Sequence, residues 1–382
     1  MRVRLYSLSL CLHAMVGLSQ PSCFSADGST SSLMTQSEPV LLDSSRRQEH
    51  NKQEQDKQEQ DKQEHKAIEH EAWQQATQAG KQDLLSGDLE GAKTWLKKAY
   101  EIAQRFGQSD SRVAVSQSNL GQLYKAQGNY LLAEKASRRS LELIRQNEPK
   151  DNFGFAVELS NLAGILKDEG KYGEAKPLYE GAIAILGEMR GKESVEVATV
   201  YDNLALLFQK QGDYKAAVGV QLKAIAVYEH ELGVDNPDLA IALGNLAESY
   251  RELNQSDKAE PLYERSLAIM RKAYGDKHPS VATALDNLAG LYVKEGKLKE
   301  AEDLQLKALE TFRETLGGHH PDVAICLDNL ADLYSRQGKS ALALRKSEDA
   351  FEIAEKTLGK EHPLSVGIKH RLEDLKSQKA SQ

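Results

Sequence analysis

A chain of 382 residues with 6% aromatic and 28% charged side chains has room for two or three globular domains, unless it repeats internally. Its 49 basic and 57 acidic residues give a formal charge of −8 with the signs interleaved, which excludes the concentrated basic face that nucleic acid requires. Cys11, Cys23 and Cys326 are the three cysteines; they support neither a disulfide framework nor a cysteine metal site, and Cys326 reads as a small packing residue.

Arg2 and Arg4 precede an apolar stretch from Leu5 to Leu18, too short to span a bilayer comfortably and placed as an export signal within residues 1–26. Gly17 and Ser19 favour cleavage after Ser19, whereas Ala26 has Phe24 two residues before it. A lipid anchor on Cys23 is disfavoured, since Gln20, Pro21 and Ser22 lack the small aliphatic pattern of a lipoprotein box. The chain is therefore expected to be exported, periplasmic or secreted, with no transmembrane helix after signal removal. Residues 27–45 are Ser/Thr-rich without an apolar period and are expected to be disordered. From Gln48 to Lys66 a five-residue unit of Asp, Lys, Gln and Glu repeats almost perfectly. These are good helix formers without an apolar stripe, so residues 27–70 are expected to be a spacer whose charged part is solvated and partly helical.

Beyond the spacer the sequence becomes periodic. Asn119, Asn161, Asn203, Asn245, Asn287 and Asn329 recur every 42 residues, inside NLGQLY, NLAGIL, NLALLF, NLAESY, NLAGLY and NLADLY. Nine residues after each stands Gly128, Gly170, Gly212, Asn254, Gly296 or Gly338, followed by Ala133, Ala175, Ala217, Ala259, Ala301 or Ala343. The apolar spacing predicts a helix, a left-handed turn and a second helix that approaches closely over the small residues. Asn129 and Asp213 are placed to cap second helices. Pro237, Pro279, Pro321 and Pro363 are placed at the first position of the next helix, where a missing N–H costs little.

Small residue, aromatic, turn Gly and Ala at these offsets resemble the tetratricopeptide repeat. The 42-residue length, the LDNLA core and the LGxxHPxVA linker are similar to the kinesin light chain variety. The likeness implies an all-α, right-handed α-solenoid of antiparallel hairpins, with about seven repeats over residues 71–362. The first repeat is degenerate, with Gly87 and Ala92 in the places of Gly128 and Ala133. A capping helix and tail over 363–382 follow, in which Arg371 stands where Asn is expected. Gln117, Leu159, Tyr201 and Leu243 replace an early Trp, and Asn254 replaces a turn Gly.

Stacked as in that family, the first helix of each hairpin lines a concave groove for a protein or peptide partner. The candidate groove residues are the Asn ladder, an acidic row of Asp202, Asp286 and Asp328, and a basic row of Lys125, Lys167, Lys210, Arg251, Lys294 and Arg336. Asn amides both donate to and accept from a peptide backbone, and the charges would select the partner. The ladder could equally bond to the neighbouring hairpin and fix the stacking, and the basic row could be solvated charge near helix C-termini. No catalytic constellation is present: no phosphate-cradling loop, no nucleophile elbow, no HExxH. His278, His320 and His362 share one linker position in successive repeats, about 10 Å or more apart, so one Zn²⁺ cannot join them; a weak surface metal site at His319 and His320 is disfavoured. No cofactor, small-molecule substrate or nucleic acid is expected. The functional expectation is a non-catalytic scaffold, with a structural assembly protein acting through its convex face or end-to-end stacking as the alternative. A motor-adaptor role is not expected, because no apolar heptad seam precedes the repeats.

Overall fold

A computed structural model describes residues 39–147 and 152–380. The expected signal over 1–26, with Cys11 and Cys23, lies outside the described residues, as do residues 27–38. Fifteen α-helices and no strand occur among the described residues. They pair as hairpins: α1 (Pro39–Ser86) with α2 (Leu89–Arg105), α3 (Ser111–Ala126) with α4 (Tyr130–Asn147), and α5 (Asn152–Glu169) with α6 (Tyr172–Arg190). Next come α7 (Val195–Lys210) with α8 (Tyr214–Glu231), α9 (Pro237–Glu252) with α10 (Ser256–Tyr274), and α11 (Pro279–Lys294) with α12 (Leu298–Leu316). The series ends with α13 (Pro321–Arg336), α14 (Ser340–Leu358) and a last single helix, α15 (Pro363–Ala380).

The turns follow from the residues in them. Gly128, Gly170, Gly212, Gly296 and Gly338 all have positive φ, and Asn254 (φ 57°) is the one non-glycine that does so among the described residues. The left-handed residue lets the N–H of Asn129 bond back to the Tyr124 carbonyl at 2.8 Å, which ends α3. Asn129 and Asp213 then accept from the N–H groups of Leu132 (3.2 Å) and Ala216 (3.0 Å). Pro237, Pro279 and Pro321 begin their helices, each preceded by a capping side chain. Asn236 Oδ1 takes the Asp238 N–H at 2.7 Å, while the Nδ1 atoms of His278, His320 and His362 take the Ser280, Asp322 and Leu364 N–H groups at 3.1–3.2 Å. The linker histidines are thus helix caps. The close approach inside each hairpin rests on Ala133, Ala175, Ala217, Ala259, Ala301 and Ala343, all 0% exposed.

Helix α1 departs from expectation. It runs unbroken from Pro39 through the charged pentads, where a partly helical spacer and, over 39–45, no regular structure were expected. Residues 50–68 are exposed throughout, so no packing holds them. Nucleation is supplied by the docked part beyond residue 68, and propagation through Gln, Glu and Lys then costs little.

Hairpins stack on their neighbours, and the first helices α3, α5, α7, α9 and α11 also touch one another in sequence. They form the inner, tighter side of the solenoid, with the second helices outside. The winding brings distant turns together. His362 Nε2 lies 3.3 Å from the Ala126 carbonyl, 236 residues away, which is between five and six repeats of 42. Because Nδ1 of His362 accepts from Leu364, Nε2 carries the proton and donates. Burial pushes this imidazole down from its ordinary range, partly countered by the carbonyl. A Cβ placed on Gly128 would lie 2.8 Å from Pro363 Cδ, and one on Gly87 would lie 2.8 Å from His320 Nε2. One end of the array therefore rests on the other.

Candidate functional site

The inner helices carry the polar rows, but they turn most of them into the stack. Asn119, Asn203, Asn245, Asn287 and Asn329 are at most 5% exposed; Asn161 is half-buried. Asn329 Nδ2 on α13 donates to Asp286 Oδ2 on α11 at 2.8 Å. One repeat later, Arg371 stands in the Asn position of α15 and places Nε 2.8 Å from Asp328 Oδ1. An amide–carboxylate bond between hairpins thus becomes an ion pair where the array ends. Asn161 instead donates within its own helix, to Glu158 Oε2 at 3.2 Å.

Asp202, Asp286 and Asp328 are all buried. For Asp202, burial pushes the carboxyl up to about 8, with the Tyr228 hydroxyl acting the other way. That hydroxyl is shared with Thr199 Oγ1, to which it donates at 3.2 Å, so the buried carboxyl is poorly compensated.

The basic row divides. Lys210, Lys294 and Arg336 are exposed, Lys125 is half-buried, and Lys167 and Arg251 are buried. Lys125 Nζ on α3 lies 3.0 Å from Asp168 Oδ2 on α5, and Lys167 Nζ lies 3.5 Å from Asp168 Oδ1. Burial pushes Lys167 down to about 8; Asp168 opposes this, and repulsion from Lys125 and Lys210 adds to it. Arg251 donates to both oxygens of Glu248, at 2.7 Å and 2.6 Å. It also lies 2.8 Å from Glu252, and the Tyr263 hydroxyl donates to Glu248 at 2.8 Å. Lys294 Nζ caps the Arg251 carbonyl, and Arg336 pairs with Asp332 at 2.9 Å.

Residues 77–146, 156–230, 220–272, 238–307 and 280–356 match the tetratricopeptide repeat. The chain belongs to the tetratricopeptide repeat family. Its repeats are of the kinesin light chain-like kind. Among solved structures, BtubC (BKLC) from P. vanneervenii is 25% identical with a TM-score of 0.51, over 60% of this chain and 92% of that one. A Podosopora anserina kinesin light chain candidate with nearly identical TPR-like repeats is 26% identical with a TM-score of 0.44, over 52% and 94%. The Rap conjugation gene regulator of plasmid pLS20, solved with the Phr* peptide, is 17% identical with a TM-score of 0.56, over 75% and 74%. No curated protein matches the chain.

Within this tetratricopeptide array the structure joins Lys125, Lys167 and Asp168 across hairpins, and Asn329 with Asp286. Sequence reasoning missed the buried carboxylates of Glu158 and Glu248. Glu158 accepts from Ser118 Oγ at 2.5 Å, from Ser137 Oγ and from Asn161; burial pushes it up to about 7 against these three donors. The available signal was an acid at a repeat position held elsewhere by Val200, Ala242, Ala284 and Cys326. Among the described residues no group of three or more His, Cys, Asp or Glu is placed to hold a metal ion. No described helix is long and apolar enough to cross a membrane.

Proposed function

We propose that this tetratricopeptide protein is a non-catalytic scaffold that holds a peptide or protein partner along the inner face of its solenoid, outside the cytoplasm. The observation that carries the reading is the convergence of charged side chains from successive first helices on that face, with Lys125 from α3 meeting Lys167 and Asp168 from α5. The Rap regulator, which shares the fold, was solved with a peptide; this supports the capacity of such an array to hold one. Within the Asn ladder, Asn329 fixes stacking through its bond to Asp286 between α13 and α11, and the charges choose the partner.

The test is capture from the source organism's extracts by the full chain, beside Lys125→Gln/Lys210→Gln and Asn203→Ala/Asn245→Ala/Asn287→Ala variants whose folding is checked by circular dichroism. Loss of the captured partner in the Lys variant supports the groove. Equal capture by all three moves binding to the convex face or the ends of the array. Export rests on Arg2, Arg4 and the Leu5–Leu18 stretch. N-terminal sequencing of the protein recovered from the source organism should show a start between residues 20 and 27; an intact Met1 overturns it.

A further inference from the structure

The two ends of the array meet through a side chain whose hydrogen bonds exist in one protonation state only. His362 caps α15 and uses both ring nitrogens: Nδ1 accepts the Leu364 N–H at 3.1 Å, and Nε2 lies 3.3 Å from the Ala126 carbonyl at the end of α3. The neutral ring with its proton on Nε2 can do both; the imidazolium, with a proton on each nitrogen, cannot accept. A second proton would face the Leu364 N–H and would place positive charge at the first turn of α15, where the helix dipole opposes it. The cap would then be lost in the linker that rests on the α3–α4 turn, where Pro363 Cδ would lie 2.8 Å from a Cβ on Gly128.

The other linkers show what is particular to this one. Asn236 caps α9 with an amide, which does not titrate. His278 caps α11 as His362 caps α15, but its ring stacks on Tyr274 of the adjoining helix, 4.2 Å away, with no bond to a distant turn among the described residues. His320 does lie against a distant turn, that of Gly87, but the Asp322 carboxylate stands 3.8 Å from its Nδ1 to meet a positive ring. At the matching place after His362 stands Leu364. Charged groups on each side of the junction are committed elsewhere. On α3, Lys125 pairs with Asp168 at 3.0 Å; in the linker, Lys360 pairs with Glu355 of α14 at 3.5 Å and Glu361 is exposed. On α4, burial pushes the Tyr130 hydroxyl up, so it stays uncharged. Burial rather than a charge therefore sets the His362 ring, holding it below an ordinary 6.5 against the pull of the Ala126 carbonyl.

We propose that the junction of His362 with the α3–α4 turn is an acid-sensitive clasp, which holds the coil closed while the imidazole is neutral and opens it when His362 takes up a proton. In the open coil the ring is free to titrate at its ordinary 6.5, and in the closed coil it titrates lower. Closure is thus fully present above that value and is lost as pH falls, the open-to-closed ratio rising by up to about tenfold per pH unit between the two. Glu158, raised to about 7, titrates nearby in pH, but it joins α5 to α3 and α4 inside one stack and not across the junction.

The test is small-angle scattering on the full chain at about pH 7.5 and about pH 5, with helix content followed by circular dichroism. The expected result is a larger radius of gyration at the lower pH, with helix content unchanged and a midpoint below 6.5. His362→Asn, which keeps a cap of the kind Asn236 makes but cannot titrate, should give one radius at both pH values, whereas His278→Asn should respond as the parent does. If His362→Asn fails to fold, Gly128→Ala takes its place, since its wedged turn should leave the coil open at both pH values. A parent radius that ignores pH, an expansion that comes with loss of helix, a response kept by folded His362→Asn or Gly128→Ala, or one abolished by His278→Asn overturns the clasp.

Discussion

At the scale of single residues, the inner helices bury polar atoms that a sequence pattern places on their surface. Asn at every forty-second position was legible, and so was the choice between ligand and stacking. The direction of the side chain was not, because the groove face and the stacking face are neighbours on one helix and the interval fits both. The Asn329–Asp286 bond decides it for that pair, and it carries a prediction. Asn329→Ala leaves Asp286 buried with a lost donor and should cost about 1–3 kcal/mol in urea unfolding, whether or not any ligand is present. Asp202 yields a dependence on pH. Burial raises its folded carboxyl to about 8 from an ordinary 3.8, so between these values the folded state binds the proton that the unfolded state has released. Stability from this group is present at low pH and is lost as pH rises through about 8. Asp202→Asn should therefore flatten that fall and gain about 1–3 kcal/mol at pH 9, read by melting across pH; an unchanged slope refutes the assignment.

At the scale of helices and turns, the sequence was most informative. Turn glycines, Asn254 and the helix-opening prolines each carry a backbone requirement that depends on the residue alone. The histidines before those prolines were harder to read. Their capping role shows only beside Asn236, which does the same work at the same place with a shorter side chain. Gly296 has φ 79° and open space where a Cβ would go, so Gly296→Ala should cost about 1–2 kcal/mol from left-handed strain alone. The protruding part of α1 illustrates the opposite limit. Its helix rests on propagation from a docked end, and loosening it with Gln55→Gly and Gln58→Gly should leave the melting midpoint of the array unchanged, since residues 50–68 are exposed.

At the scale of the whole molecule, repetition made the solenoid legible, whereas its closure was not. Contact between Ala126 and His362 depends on the small rotation from each hairpin to the next, summed over more than five of them, and no local residue records that sum. Two glycines isolate its contribution. Gly128→Ala and Gly296→Ala share the same left-handed strain, but only the first drives a methyl group into Pro363. Gly128→Ala should therefore cost more than Gly296→Ala and should alone increase the radius of gyration measured by small-angle scattering. Equal effects would mean that the ends do not meet in solution. Where they do meet, a partner held on the inner face as proposed would have the His362–Ala126 contact beside its path. A segment with a free end would thread past that contact, while one flanked by folded domains would wait for it to part, and the lifetime of such a complex would follow how often the two turns separate.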